Sequence, residues 1–321
     1  MQAKKIVTAL MLVGTSLLAA ADQWPSQPIR LIVPYPPGGG NDSISRLVAK
    51  QLEEKLKVSI VVDNKGGANG SIGVNLLKQA KPDGYTIATV PSGPLDVNPS
   101  LMGSVPYDPA KDFTYIGPMV KFPLFLAVSS TAGVKTLPEL IAKAKAAPGE
   151  VTYSSAGIGN STHLAGALLA HATGTNMTHV AYRGTGPAAL AVLSGEVTFT
   201  FGSGPSILEY VNTGKVVGLG VSELTRLESQ RNIPTVAEQG VQGFEASSWA
   251  GIVAPAGLPA DIAAKLSKTL REVMESPAFR QQVLARGMLP ISGGGKDFEQ
   301  MVRKDAQKWG KLITSANIKA E

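Results

Sequence analysis

The chain has 321 residues, no cysteine, and 30 Lys plus Arg against 24 Asp plus Glu, a formal charge of +6. Without cysteine there is neither a lipid-modified Cys anchor nor a disulfide staple, so the fold must be held by its core. The basic excess is mild and scattered, and aromatic residues make up only 6% of the chain, which excludes the charged stripe and stacking platform of a nucleic-acid binder.

The first residues read as an export signal. Lys4 and Lys5 precede an apolar run over residues 6–18 that ends in Ala19, Ala20 and Ala21. The run is too short for an ordinary membrane span, and its small-residue ending favours cleavage after Ala21, with Asp22 as the new N-terminus. Losing Lys4 and Lys5 leaves 28 basic residues against 24 acidic ones, or +4, a balance suited to a small anionic ligand. At ~100–200 residues per domain, the remaining chain is expected to form two lobes.

The stretch 29–56 carries the organising pattern: an apolar strand at 29–33, the elbow Pro34-Tyr35-Pro36-Pro37-Gly38-Gly39-Gly40-Asn41-Asp42, then a helix with one apolar face at Ile44, Leu47, Val48, Leu52 and Leu56. Asn41, Asp42 or Ser43 can cap its first turn. Glycines admit a ligand close to backbone N–H groups and a helix start attracts anions, so the elbow reads as a carboxylate or phosphate cradle, or simply as a tight turn. Neither the Gly-Lys-Ser/Thr of a nucleotide P-loop nor G-x-G-x-x-G is present.

The same unit recurs. A β-branched run at 58–62 leads to the glycine-rich loop 63–70 and a helix marked by Ile72, Leu76, Leu77 and Ala80; a third strand at 85–90 ends at Pro91-Ser92-Gly93. Strands alternating with helices at this spacing imply a parallel sheet with covered faces and ligands beyond the carboxyl ends of the strands. From Lys121 the pattern restarts, with a strand at 124–128, a helix at 137–147 and a strand at 151–153. A Gly/Ser-rich elbow at 154–163 then opens a helix through Leu164, Ala165, Leu168 and Leu169. Next come a strand at 178–181, the loop Tyr182-Arg183-Gly184-Thr185-Gly186-Pro187, a helix through Leu190 and Leu193, and strands at 196–201 and 216–221. After the stretch 249–254 and the Pro255–Pro259 break, the helices marked by Ile262, Leu266, Leu270, Val273 and by Phe298, Met301, Val302, Trp309, Ile313 are expected to return to the first lobe, so that two crossings, near Lys121 and Ala246, link the lobes.

The side chains also suggest two other chemistries. Ser154, Ser155, His163 and Asp42 can be drawn as a hydrolase, but no Gly-x-Ser-x-Gly elbow is present. His163, His171 and His179 recur every eight residues without the carboxylates or cysteines of a metal set, so no metal and no cofactor is expected. His163 reads as a helix residue bonded to nearby backbone, His171 and His179 as surface positions, and Trp249 as packing. Arg183 reads either as a solvated loop charge or as a cleft cation.

Taken together and in order, the elbows resemble those of the Bug receptors, the extracytoplasmic solute receptors of tripartite tricarboxylate transporters. The stretch from Trp24-Pro25 to Gly38-Gly39-Gly40 carries the resemblance, with Pro82-Asp83-Gly84-Tyr85, Pro106-Tyr107-Asp108-Pro109, His163-Leu164-Ala165-Gly166, Arg183-Gly184, Pro234-Thr235, Trp249-Ala250-Gly251 and Ala254-Pro255-Ala256-Gly257. The resemblance implies an α/β, two-lobed type II periplasmic-binding-protein (Venus flytrap) fold with two crossover hinge strands: signal peptide 1–21, lobe 1 at 22–121 plus 246–321, lobe 2 at 122–245. It implies a periplasmic monomer that captures a small carboxylate (a dicarboxylate, tricarboxylate, amino acid or aromatic acid) and delivers it to membrane permease subunits; a receptor serving a signalling partner would look the same. Residue by residue, it places ligand contacts at Tyr35, Pro37, Gly38, Gly39, Asp42 and Ser92, and across the cleft at Ser154, Ser155, Gly157, Gly159, Asn160, Arg183, Gly184, Thr185, Gly202 and Ser203. The chain departs from the family pattern at Asn160, where many relatives carry Ser, and at Ala181 and Arg183, where they carry Pro and Lys.

Overall fold

The structure is a computed structural model that describes residues 24–320; the expected export segment lies outside the described residues. Its strands form two sheets. One sheet has six strands and the other five.

In the first sheet β1 (Ile29–Val33) pairs in parallel with β2 (Ile60–Asn64) and β3 (Thr86–Pro91). Helix α1 (Gly40–Leu56) follows β1 and buries Ile44, Val48, Leu52 and Leu56, residues four apart on one stripe. It stops where Lys57 turns left-handed (φ 60°) and its N–H bonds back to Glu53. Helix α2 (Ser71–Lys78) follows β2 and the short helix α3 (Asn98–Leu101) follows β3. β4 (Phe113–Phe122) then runs through Pro123 into β5 (Leu124–Ser129) of the second sheet, the first crossing.

The second sheet adds α4 (Leu137–Ala146), β6 (Thr152–Ser155), α5 (Ser161–Thr173), β7 (Thr178–Ala181), α6 (Thr185–Ser194), β8 (Phe199–Ser203), α7 (Gly204–Asn212) and β9 (Val216–Val221). The chain returns through β10 (Ser248–Pro255), which lies antiparallel between β3 and β4, and ends with α8 (Ala260–Glu275), α9 (Pro277–Leu284), β11 (Leu289–Pro290) and α10 (Gly295–Ser315). Both sheets are therefore mixed rather than parallel. β10 arrives through a long return from the other sheet, so the local crossover rule that makes strand-helix-strand units parallel does not bind it.

Each sheet is covered on both faces. α1, α8 and α9 pack on one face of the first sheet through Ile44, Leu52, Leu266, Leu270 and Phe279, while α2 and the first half of α10 cover the other through Val74, Leu77, Phe298 and Val302. In the second sheet α4 and α5 bury Leu137, Leu140, Leu164 and Leu169, opposite α6 and α7 with Val192, Ile207 and Leu208. β4, α3 and α7 were not anticipated from sequence; in α7, Gly204-Pro205 looks like a turn but sets proline in the first helical turn, where it is tolerated.

The last helix does more than return to the first sheet. Its second half places Trp309, Leu312 and Ile313 in the same cluster as Val97 and Leu101 of the first unit and Phe199, Phe201 and Phe244 of the second. Trp309 is fully buried there, so Trp309→Ala should destabilise the protein by ~3–5 kcal/mol. Trp309→Phe keeps most of the volume and removes an indole N–H that has no hydrogen-bond partner, so it should cost under ~1.5 kcal/mol. Urea unfolding of both variants checks this; equal losses would contradict it.

Candidate functional site

Where the carboxyl ends of the two sheets face each other they enclose a cavity of about 150 Å³, room for a small molecule. Three helix starts line it: Gly40 and Asn41 of α1, Ser161 and Thr162 of α5, and Thr185, Gly186 and Pro187 of α6. Ser203, the residue before α7, joins them. The first N–H groups of a helix have no partner within it and carry its partial positive charge. Arg183 adds a full charge, exposed and in no ion pair among the described residues, and no carboxylate side chain lines the wall. Pro36, Pro37, Pro91, Phe122, Leu124 and Ala156 make the rest of the wall apolar.

Glycine sets the closeness of the two sides. A Cβ at Gly40 would lie 3.0 Å from Ser203 Oγ and 3.3 Å from the Phe122 ring, and one at Gly39 would lie 3.3 Å from Thr185 Oγ1. The bare backbone lets the start of α1 reach the opposite lobe.

Of the residues expected from the resemblance, Tyr35, Pro37, Gly39, Ser92, Asn160, Arg183, Gly184, Thr185 and Ser203 lie on the wall. Gly38, Asp42, Ser154, Ser155, Gly157, Gly159 and Gly202 lie off it, and their engagements show why. Asp42 accepts hydrogen bonds from Gly38 N (3.0 Å), Arg46 Nε (3.0 Å) and Asn64 Nδ2 (2.9 Å), so it braces the first elbow. Burial raises its carboxyl, but these donors outweigh that and hold it below the ordinary value. Ser154 Oγ donates to Ala188 O (2.8 Å), tying β6 to α6. Ser155 Oγ meets His179 Nε2 at 2.6 Å and bonds both backbone groups of Gly157. Gly159 N donates to His163 Nδ1 (3.1 Å), and a Cβ there would strike Leu101, 2.5 Å away, in the first lobe. Gly202 packs under Ile207 of α7.

The second elbow thus rests on two imidazoles. His163 and His179 stack with ring centres 3.9 Å apart, beside Tyr153. His179 is half-buried and engaged, not the surface position its sequence context suggested; His171 is exposed, and His163 bonds nearby backbone as expected. Burial pushes both down from the ordinary 6.5, His163 to about 3 with help from its neighbour, and His179 to about 4.

Other wall residues carry defined roles. Asn160 caps α5, its Oδ1 accepting from Thr162 N (3.1 Å), which leaves its amide NH2 as a donor. Capping of α1 falls to Gly39, without a side-chain bond, rather than to Asn41, Asp42 or Ser43. Tyr35 OH donates to Asn69 Oδ1 (2.8 Å), and burial keeps its phenol protonated. The wall residues that sequence reading missed, Pro91, Phe122, Leu124, Ser161, Thr162 and Ser248 among them, are strand ends and first helical residues, identifiable only once the two sheets are set face to face.

Two α/β units facing each other across a small cavity rich in helix starts define a two-lobed solute receptor of the periplasmic-binding-protein kind. The family model described as the tripartite tricarboxylate transporter family receptor matches residues 44–318, and the chain belongs to that family, whose members are receptors rather than enzymes. It is 32% identical to the protein BugT of Bordetella pertussis over 307 residues, 95% of this chain and 94% of that one. Among solved structures it is similar to Rpa4515 of R. palustris with adipate (TM-score 0.90, 30% identity, 92% of this chain and 99% of that one). It is also similar to MatC of Rhodopseudomonas palustris with bound malate (TM-score 0.85, 25% identity, 90% and 99%).

The imidazole pair gives the fold an acid-sensitive point. Neutral when folded, both histidines take a proton on unfolding below about 6.5, so between about 6.5 and 4 the unfolded chain binds more protons and stability falls as pH falls. Denaturant midpoints at pH 7 and pH 4.5 should therefore differ more for the wild type than for His179→Phe. An unchanged difference would remove the imidazoles from the account.

Proposed function

We propose that this chain captures a small carboxylate in the interlobe cavity and delivers it to the membrane subunits of a tripartite tricarboxylate transporter. The carrying observation is the convergence of three helix starts and an unpaired arginine on one cavity wall that has no carboxylate of its own. In that setting a carboxylate would take several N–H donors at once, each hydrogen bond to a charged group contributing about 1.5–3 kcal/mol net. Two or three per lobe suffice for micromolar binding after ordering costs. The adipate and malate of its structural relatives are acids of this class.

The same reading assigns lobe 1 to 22–121 plus 246–321 and lobe 2 to 122–245, with closure as a hinge motion at the two crossings. Supporting it, Lys121 at the end of β4 bonds Glu223 (2.7 Å) after β9 and Glu245 (2.9 Å) before β10, and Ser247 Oγ donates to Glu223, so one ion cluster ties both crossings. Burial pulls the Lys121 ammonium down, but the two glutamates outweigh it and hold it above the ordinary value. The protein works as a periplasmic monomer, its signal removed after Ala21; intact mass of exported material should begin at Asp22, and retention of Met1 in the cytoplasm would refute export.

Isothermal titration against mono- and dicarboxylates tests the binding reading. Arg183→Ala should weaken the best acid about tenfold, ~1.4 kcal/mol, toward the low end for a charged hydrogen bond because the guanidinium is exposed. Unchanged affinity would place the anion elsewhere.

A further inference from the structure

The first-lobe wall carries a feature that an anion does not explain. Asn41, on the second residue of α1, is 7% exposed, and its Nδ2 donates to Thr89 O at 3.2 Å. A carbonyl only accepts, so this bond fixes the amide orientation. Asn41 Oδ1 is then a buried acceptor with no hydrogen-bond partner among the described residues, on a residue that lines the cavity. Leaving such an atom unpaired is costly, and a carboxylate, which also only accepts, cannot satisfy it.

A second wall residue presents the same polarity. Ser92 Oγ donates its one proton to Asp96 Oδ2 at 2.8 Å, and Gly93 N donates to the other carboxylate oxygen. With Asp96 ionised, the Ser92 hydroxyl has only lone pairs left for the cavity. Asp96 is wholly buried. The other groups that act on it are the phenols of Tyr35, Tyr107 and Tyr115 and the carboxylate of Asp305 on α10, which takes the Trp249 indole N–H. The cations Lys121 and Lys308 act on Asp305.

We propose that Asn41 and Ser92 are specificity-determining acceptors that select an acid carrying a hydrogen-bond donor, a hydroxyl or an ammonium, in addition to its carboxylate. Asp96 is the positioning residue that holds Ser92 in its accepting state. The proposal rests on the carboxylate reading above and narrows it: plain aliphatic acids leave two buried acceptors unpaired, whereas hydroxy and amino acids of the same length satisfy them. Burial raises the Asp96 carboxyl to about 7. Protonated Asp96 becomes the donor to Ser92, whose own proton then turns to the cavity, so selection should weaken as pH falls through that value.

Calorimetric titration of the wild-type protein at pH 8.5 with matched sets tests this: succinate, malate and aspartate; glutarate, 2-hydroxyglutarate and glutamate. In at least one set the hydroxy or amino acid should bind at least about fivefold more tightly than the plain diacid. Asn41→Leu should remove most of that preference. Because Asn41 also braces Thr89, Ser92→Ala serves as a second variant, reducing the preference and abolishing its decline between pH 8.5 and 6. Plain diacids binding as tightly as their hydroxy and amino counterparts in every set would overturn this inference and leave the carboxylate reading standing. Binding of no acid at all would overturn both.

Discussion

A helix begins with backbone N–H groups that nothing inside it can satisfy, and this protein aims three such beginnings at one small space. Each follows a strand that ends at the same edge of its sheet, so the sheet places the donors and the elbow fixes their direction. The arrangement only works because the two sheets meet edge to edge. Gly39 and Gly40 permit that approach, and the side chains that do not line the cavity, Asp42 on one side and Ser155 with the stacked imidazoles on the other, hold the elbows in shape.

Two kinds of link join the sheets. The crossings at Pro123 and before β10 are tied together by Lys121 and its two glutamates. The second half of α10 is a packed apolar contact that shares Trp309 between the units.

Most of this architecture was legible in the chain. The strand at 29–33 and the helix stripe at Ile44, Val48, Leu52 and Leu56 stand where the periodicity put them, because local pattern and burial agree there. Several second-lobe strands are displaced by one to three residues, as at β6 and β8, since their ends carry serines and glycines that sequence assigns to loops. The site was only partly legible. The elbows were visible as composition, but Asn41 read as a candidate cap, and its release from capping follows from α1 starting two residues earlier, behind Gly39. Phe122, Leu124 and Ser248 reach the cavity through long-range pairing that no local window contains. His179 sits on the edge strand β7, where alternation suggests solvent, yet its ring lies against His163 of α5.

If the binding proposal holds, the carboxylate of the bound acid rests against helix starts. A crystal structure of the protein with its tightest-binding acid tests it directly. Carboxylate oxygens should lie within about 3 Å of backbone N–H groups at the start of α1 and of α5 or α6, with the carbon chain toward Pro91, Phe122 and Leu124. A ligand bound the other way round, with its apolar end at those helix starts, or one seated outside this cavity, would contradict it.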